Sequence, residues 1–180
     1  MAKLLVINEK NQGGMKGRCT LMAFEPGVID GYLKKGRNLD EAVGLALHYG
    51  KCRQSIKVDN LVVNNGLGLV ASLMIGDSSP LSYHAIGTGT TAPATTDTQL
   101  TTEVSRRPIT YMITSGNTVI LQTYFLSALC TYNLKEGGIY GGDATATANS
   151  GTLFSHYLLS FDNSAGLSDL IFLYEVEMVP

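Results

Sequence analysis

Apolar and polar residues recur along this chain with two periods, and the change between them marks its organisation. Up to about residue 80 both periods occur; from Leu81 onward the two-residue period of strands dominates. Leu4 to Ile7 is an apolar run of strand length, and the polar, Gly-rich stretch Asn8 to Gly17 predicts a loop or extended arm. Arg18 to Phe24 alternates as a strand does and is stopped by Glu25-Pro26-Gly27. Asn38 followed three residues later by Glu41 predicts a capping box at a helix start. Leu39, Ala42, Val43 and Ala46 then share one helical face and Gly50 can close the helix, although Leu45 to Tyr49 would also suit a strand. Val63, Leu67, Val70 and Met74 recur at helical spacing, with Gly76 placed for a left-handed closing residue. Gly66 and Gly68 inside that run each cost about 1 kcal/mol relative to alanine, which points to close packing or a later helix start.

The remaining pattern is mostly strands. Ser82 to Gly89 is rich in β-forming residues, and Pro108 to Leu126 gives two β-rich runs joined at Ser115-Gly116-Asn117, a hairpin signal. Gly151 to Phe161 and Leu167 to Val179 are two more strands, separated by Asp162 to Gly166. In the last, Tyr174 to Met178 alternates apolar with acidic, whereas Leu170 to Leu173 is apolar on both faces and should be central or covered. Asp143 to Gly151 is low in complexity and reads as an exposed loop. Four to six antiparallel strands of about ten residues predict a mainly β fold, an antiparallel β-sandwich or jelly-roll-like domain with one or two helices in the N-terminal half. The expected division is an N-terminal arm with mixed α/β elements over residues 1–57, read as an oligomer-contact region, and a helix plus sandwich over 58–180.

Between the strands, Ala85 to Ile109 reads "AIGTGTTAPATTDTQLTTEVSRRPI". Gly87 and Gly89 suggest a phosphate cradle, but no lysine follows and no third glycine completes G-x-G-x-x-G. The reading preferred is a crossing loop that builds shape. Its pinning residues are Gly87, Gly89, Pro93, Asp97, Leu100, Glu103 and Arg106. A cap at Thr96 or Asp97 should start a short helical turn, with Leu100 and Val104 anchored on the core. Glu103 should pair with Arg106 or Arg107, and a strand should begin at Pro108.

Composition narrows the chemistry. Charged residues make up 16% of the 180 and the net charge is −2, with basic residues scattered, so nucleic acid is not expected as a partner. No apolar run reaches the roughly 18 residues of a membrane-spanning helix, and the N-terminal run is too short for an export signal. Cys19, Cys52 and Cys130 lie far apart with no C-x-x-C, so neither zinc nor a disulfide scaffold is expected, and a reducing cytoplasm fits. His48, His84 and His156 are isolated; the latter two read as half-exposed or hydrogen-bonded strand residues. Asp143, Thr145, Thr147 and Asn149 have calcium-loop spacing without the glycine and glutamate of an EF-hand. Glu136, before two glycines, is a candidate buried carboxylate. No G-x-S-x-G occurs and the titratable residues form no cluster in sequence, so no enzyme, cofactor or metal is expected, while a cluster formed in space stays open.

Residues 86–110 also resemble a stretch of tailed-bacteriophage structural proteins, in which "GTGTTAPA" precedes "DT", a leucine, "E", an arginine and then a strand. The similarity runs back to "VDNLVVNNGLGLVASLMIGD" and forward to "EGGIYGGDATATANSGTLFSHYLL", read as the group's glutamate-glycine-aliphatic-aromatic turn and its following strand. Together these cover about residues 58–178. The group often has "GLF" after the glutamate and one small residue, where this chain has "EGGIY", and residues 1–57 match poorly. The resemblance implies a virion structural protein of the tail, neck or fibre region, assembled in the bacterial host cytoplasm with other virion proteins as a homo-oligomer. A capsid decoration or cement protein is the nearest alternative. A carbohydrate-binding module for a host surface glycan is the second, and a hydrolase the last. The chain has no Trp to serve as a sugar platform, which counts against the glycan binder.

Overall fold

Alternation of apolar and polar residues over eleven positions demands a strand with two different faces, and four strands here have that length. The computed structural model describes residues 14–179. Its elements are β1 (Gly14–Phe24), α1 (Val28–Leu33), α2 (Leu39–His48), β2 (Cys52–Val62), α3 (Asn64–Met74), β3 (Tyr83–Gly87), β4 (Glu103–Pro108), β5 (Tyr111–Ser115), β6 (Thr118–Phe125), a 3₁₀ turn (Ser127–Leu129), β7 (Asn133–Gly141), β8 (Thr152–Asp162) and β9 (Asp169–Val179). The nine strands form one antiparallel sheet in the order β4-β3-β7-β8-β2-β1-β9-β6-β5. The sheet curls at β2, whose last residues Leu61 and Val62 pair with β8 while the rest pairs with β1, so that two layers face each other.

The fold is therefore mainly β and antiparallel, as the alternation predicts, with nine strands where four to six were expected and three helices where one or two were. The core between the layers takes Cys19 and Leu21 from β1, Phe172, Tyr174 and Val176 from β9, Leu121 and Phe125 from β6, and Ile86, Ile139, Phe154 and Tyr157 from the opposite layer. The other face of β1 and β9 carries Met22, Phe24 and Ile171 against Ile29, Leu39, Val43 and Ala46 of α1 and α2. This double burial explains why Leu170 to Leu173 is apolar on both faces. Helix α2 starts at the expected capping box: Asn38 accepts from the Glu41 amide, Glu41 from the Asn38 amide. Gly50 and Gly76 both follow helices at positive φ, and Gly116 takes φ +59° in the two-residue turn between β5 and β6.

Several expectations are corrected. The run Leu4–Ile7 lies outside the described residues, as does most of the expected arm, but Gly14 to Gly17 belongs to β1, paired with β9 throughout and with β2 from Gly17. Residues 58–62 are strand, and α3 begins only at Asn64. Its buried stripe is also different: Leu67 and Met74 are exposed, whereas Gly66 and Leu69 are buried, with Val70 and Leu73 packed on the core. The reason is Gly66, which lies directly on the Phe154 carbonyl, so the closest face of the helix is marked by a residue with no side chain. No helical turn follows Asp97, and β4 ends rather than begins at Pro108. The amides of Thr101 and Thr102 are drawn to a side-chain acceptor instead of a helical carbonyl. The "EGGIY" stretch is the middle of β7, not a turn. Of the two readings of His84 and His156 as strand residues, half-exposed or hydrogen-bonded, the second holds: both are buried and hydrogen-bonded.

Candidate functional site

The outer face of the β4-β3-β7-β8 layer is paved with small residues, Ala85, Gly87 and Gly138, which let the chain from Thr88 to Thr102 lie flat across the strands. A Cβ on Gly87 would stand 2.5 Å from the Thr102 carbonyl and 2.6 Å from Glu136 Oε1, and one on Gly89 would run into the same carboxylate. Glu136 is the centre of this arrangement. Its Oε1 accepts from the Gly89 amide at 3.0 Å and the Thr102 amide at 2.6 Å, and its Oε2 from the Thr101 amide at 3.0 Å. The Gly-rich loop is thus an anion cradle, of the kind successive backbone N–H groups build, and the anion is the protein's own side chain.

His156, beside it on β8, places Nε2 3.0 Å from Glu136 Oε2 and Nδ1 2.7 Å from Asp97 Oδ2. Both ring nitrogens face carboxylate oxygens, a pattern that two N–H donors satisfy. Asp97 also accepts from the Ala94 amide at 2.9 Å, which closes the tight turn after Pro93, itself half-buried. Partial burial works to raise the Asp97 carboxyl; the Ala94 amide and His156 outweigh it and hold it below the usual carboxylate value. Leu100 is fully buried over Gly138, and its amide donates to the Tyr140 hydroxyl at 3.0 Å.

Glu103 and Arg106 form the expected pair, but along a strand: Nε and a terminal nitrogen bind the two carboxylate oxygens at 2.6 and 2.7 Å. The guanidinium lies 4.5 Å over the Tyr140 ring and donates to the carbonyls of Thr145 and Ser150. The Asn149 amide donates to Glu103. Asp143 to Gly151 is thereby tied down. A third buried carboxylate, Asp169, accepts from the amides of Gly27 and Ser127 and from the Tyr124 hydroxyl. Six of the seven residues singled out in the crossing loop meet in this layer, and the seventh, Pro93, stands before the turn closed by Asp97. Gly87, Gly89 and Asp97 converge on the Glu136–His156 pair, Leu100 and Arg106 meet at Tyr140, and Glu103 joins Arg106. Glu136 and His156 are the partners that sequence spacing does not disclose, since 20 and 59 residues separate His156 from its two carboxylates.

His84 is a separate buried group on the inner face. Its Nε2 lies 2.5 Å from the Tyr157 hydroxyl and its ring packs edge-on against Phe172; burial holds its pKa down at about 3. Among the described residues no three His, Cys, Asp or Glu side chains are arranged to hold a metal ion, and no helix is long and apolar enough to cross a membrane.

The surface open to solvent is of another character. Among the described residues strand β5 pairs with β6 alone, and Met112 and Ile113 on it are about half exposed. On its inner side lies a groove of about 590 Å³, lined by Val70, Leu73, Leu81, Met112, Val119 and Phe154 among others. On its outer side a second groove of about 450 Å³ runs between β5, β6 and α2, with Val43, Leu47, Ile113 and Ile120 in its walls. Exposed Met74 and Ile75 at the end of α3 add to the apolar surface of the molecule. No family model, curated protein or solved structure matches the chain.

Proposed function

We propose that this protein is a non-enzymatic structural component of a tailed-bacteriophage virion, in the tail, neck or fibre region, working through symmetric contacts with copies of itself and with other virion proteins. The observation that carries the assembly part is the contrast between its buried and exposed resources. Glu136, Glu103 and Asp169 are each spent on backbone amides of connecting segments, so buried charge here locks loops to strands. Two apolar grooves flank one edge strand, β5, whose Met112 and Ile113 are themselves about half exposed. Large apolar patches on a folded surface mark interaction sites, and in a symmetric assembly weak contacts multiply. The virion part rests on the order and spacing of the motifs in residues 58–178.

Immunogold labelling of intact phage particles, with antibody raised to the recombinant protein, tests this reading. Gold at the tail, neck or fibres is expected. Gold spread over the capsid would favour a decoration role, and unlabelled particles alongside labelled free protein in the lysate would overturn a virion role.

A further inference from the structure

We infer that the free edge of β5 accepts an extended apolar segment from a second copy of this chain, as an added strand. The inference rests on the reading of the protein as an assembling subunit and names the surface used. The two edges of the sheet are built differently. β4 carries Arg107 and ends on the exposed Pro108, and its register with β3 shifts at Gly87. Charge, proline and irregular register are the devices that keep an edge from pairing. β5 has none of these: Tyr111 to Ser115 is uncharged, and its register with β6 is continuous.

The grooves define what would fit. Met112 and Thr114 lie opposite Leu121 and Val119 and face the inner groove; Tyr111, Ile113 and Ser115 face the outer one. A strand laid along β5 would send alternate side chains into each groove. The segment required is therefore four or five residues long, uncharged, and apolar on both faces. Most strands fail this, because they have one polar face. Leu4-Leu5-Val6-Ile7 meets it, with Leu4 and Val6 on one side and Leu5 and Ile7 on the other.

Reach favours a neighbour's segment over the chain's own. Gly14 stands opposite Val179 in β1, and β9, β6 and β5 follow in order, so a place beyond β5 is four strand spacings away, about 19 Å. From Ile7 to Gly14 the chain takes seven steps, about 23–25 Å when drawn straight. A connection to the same molecule would have to run close to fully extended, whereas a second copy can approach at any offset.

The test uses the full chain. Sedimentation velocity across a concentration series should show self-association of the wild type. A Leu5→Lys/Ile7→Lys double variant and, separately, Ile113→Lys should each weaken it at least about tenfold, since an ammonium enclosed by a groove with mainly apolar walls loses its hydration. Thermal melts of dilute protein should be unchanged in the N-terminal variant, which keeps the test valid if Ile113→Lys fails to fold. In a mixture of Val6→Cys and Thr114→Cys chains of different tagged length, oxidation should yield the heterodimer. Association unchanged within about twofold in the N-terminal variant, or no heterodimer, would overturn the strand-addition proposal and leave the assembly reading standing. A wild type that stays monomeric at every concentration would overturn both.

Discussion

Replacing Glu136 with glutamine changes no volume and removes one charge, so its cost measures what the carboxylate does for the loop. The amide oxygen can still accept from Gly89 and Thr102, whose amides lie 3.0 and 2.6 Å from Oε1. Each of those bonds drops from charge-assisted to neutral, a loss of about 1 kcal/mol apiece. The new NH2 group faces the Thr101 amide, 3.0 Å from Oε2, and two donors cannot pair; a donor left without a partner costs about 1–3 kcal/mol. His156 Nε2 can accept from that NH2 once the ring keeps its proton on Nδ1 alone, toward Asp97, so it adds little. The sum is about 3–5 kcal/mol, a large part of the roughly 5–15 kcal/mol that holds a domain folded. Equilibrium urea unfolding of the wild type and Glu136→Gln at pH 7, with unchanged m-values, would read this difference directly. A loss below about 1 kcal/mol would show that the loop does not depend on the carboxylate, and the anion-cradle account would fall.

Leu100→Ala should cost about 2–5 kcal/mol in the same assay, because Leu100 is fully buried between the loop and Gly138; an unchanged melt would mean the loop is not seated there. His84 makes a pH prediction. Its folded pKa of about 3 lies below the unfolded 6.5, so the unfolded chain takes up the proton first. Stability should be flat with respect to this group above about pH 6.5 and fall by about 1.4 kcal/mol per pH unit from there towards pH 3. Unfolding measured at pH 4.5 and 6.5 should differ by about 2–3 kcal/mol in the wild type and much less in His84→Leu; equal slopes in the two proteins would refute it. Calorimetry with ATP, GTP and inorganic phosphate should give no saturable heat, since Glu136 already occupies the amides of Gly89, Thr101 and Thr102; micromolar binding abolished by Gly89→Val in a folded protein would reverse that.

What could be read in the sequence was whatever a local pattern controls. The capping box at Asn38 and Glu41 needs only neighbours three residues apart, and the turn at Gly116 needs only a residue tolerant of positive φ. Both appear in the fold. Helix α3 shows where that logic stops. Its packing face is centred on Gly66 because a backbone carbonyl of β8 comes up against it, and a hydrophobic stripe cannot register a contact made by a missing side chain. The Thr88–Thr102 loop is a similar case. Its glycines could be read as giving close approach, but what approaches is Glu136, placed there by the pairing of β3 with β7. His156 joins only because β7 pairs with β8, bringing it opposite Gly138. A cluster assembled from two strand pairings and a loop laid across them leaves no spacing to find.

The central place of β1 in the sheet bears on how the molecule is made. One side of β1 meets β2, the next strand but for two helices, while the other side meets β9, the last. The residue pair Phe24 and Asp169 is 145 positions apart, so at ribosomal speeds of about 5–20 residues per second that side waits about 10–30 s for its partner. The β5–β6 hairpin joins the sheet only through β9. During translation it has no platform, and both apolar grooves that flank β5 are incomplete, since β9 contributes Val176 and Met178 to one and Leu173 to the other. Both grooves beside β5 are therefore completed only after β9 has been made, and a nascent chain that lacks β9 presents neither of them whole.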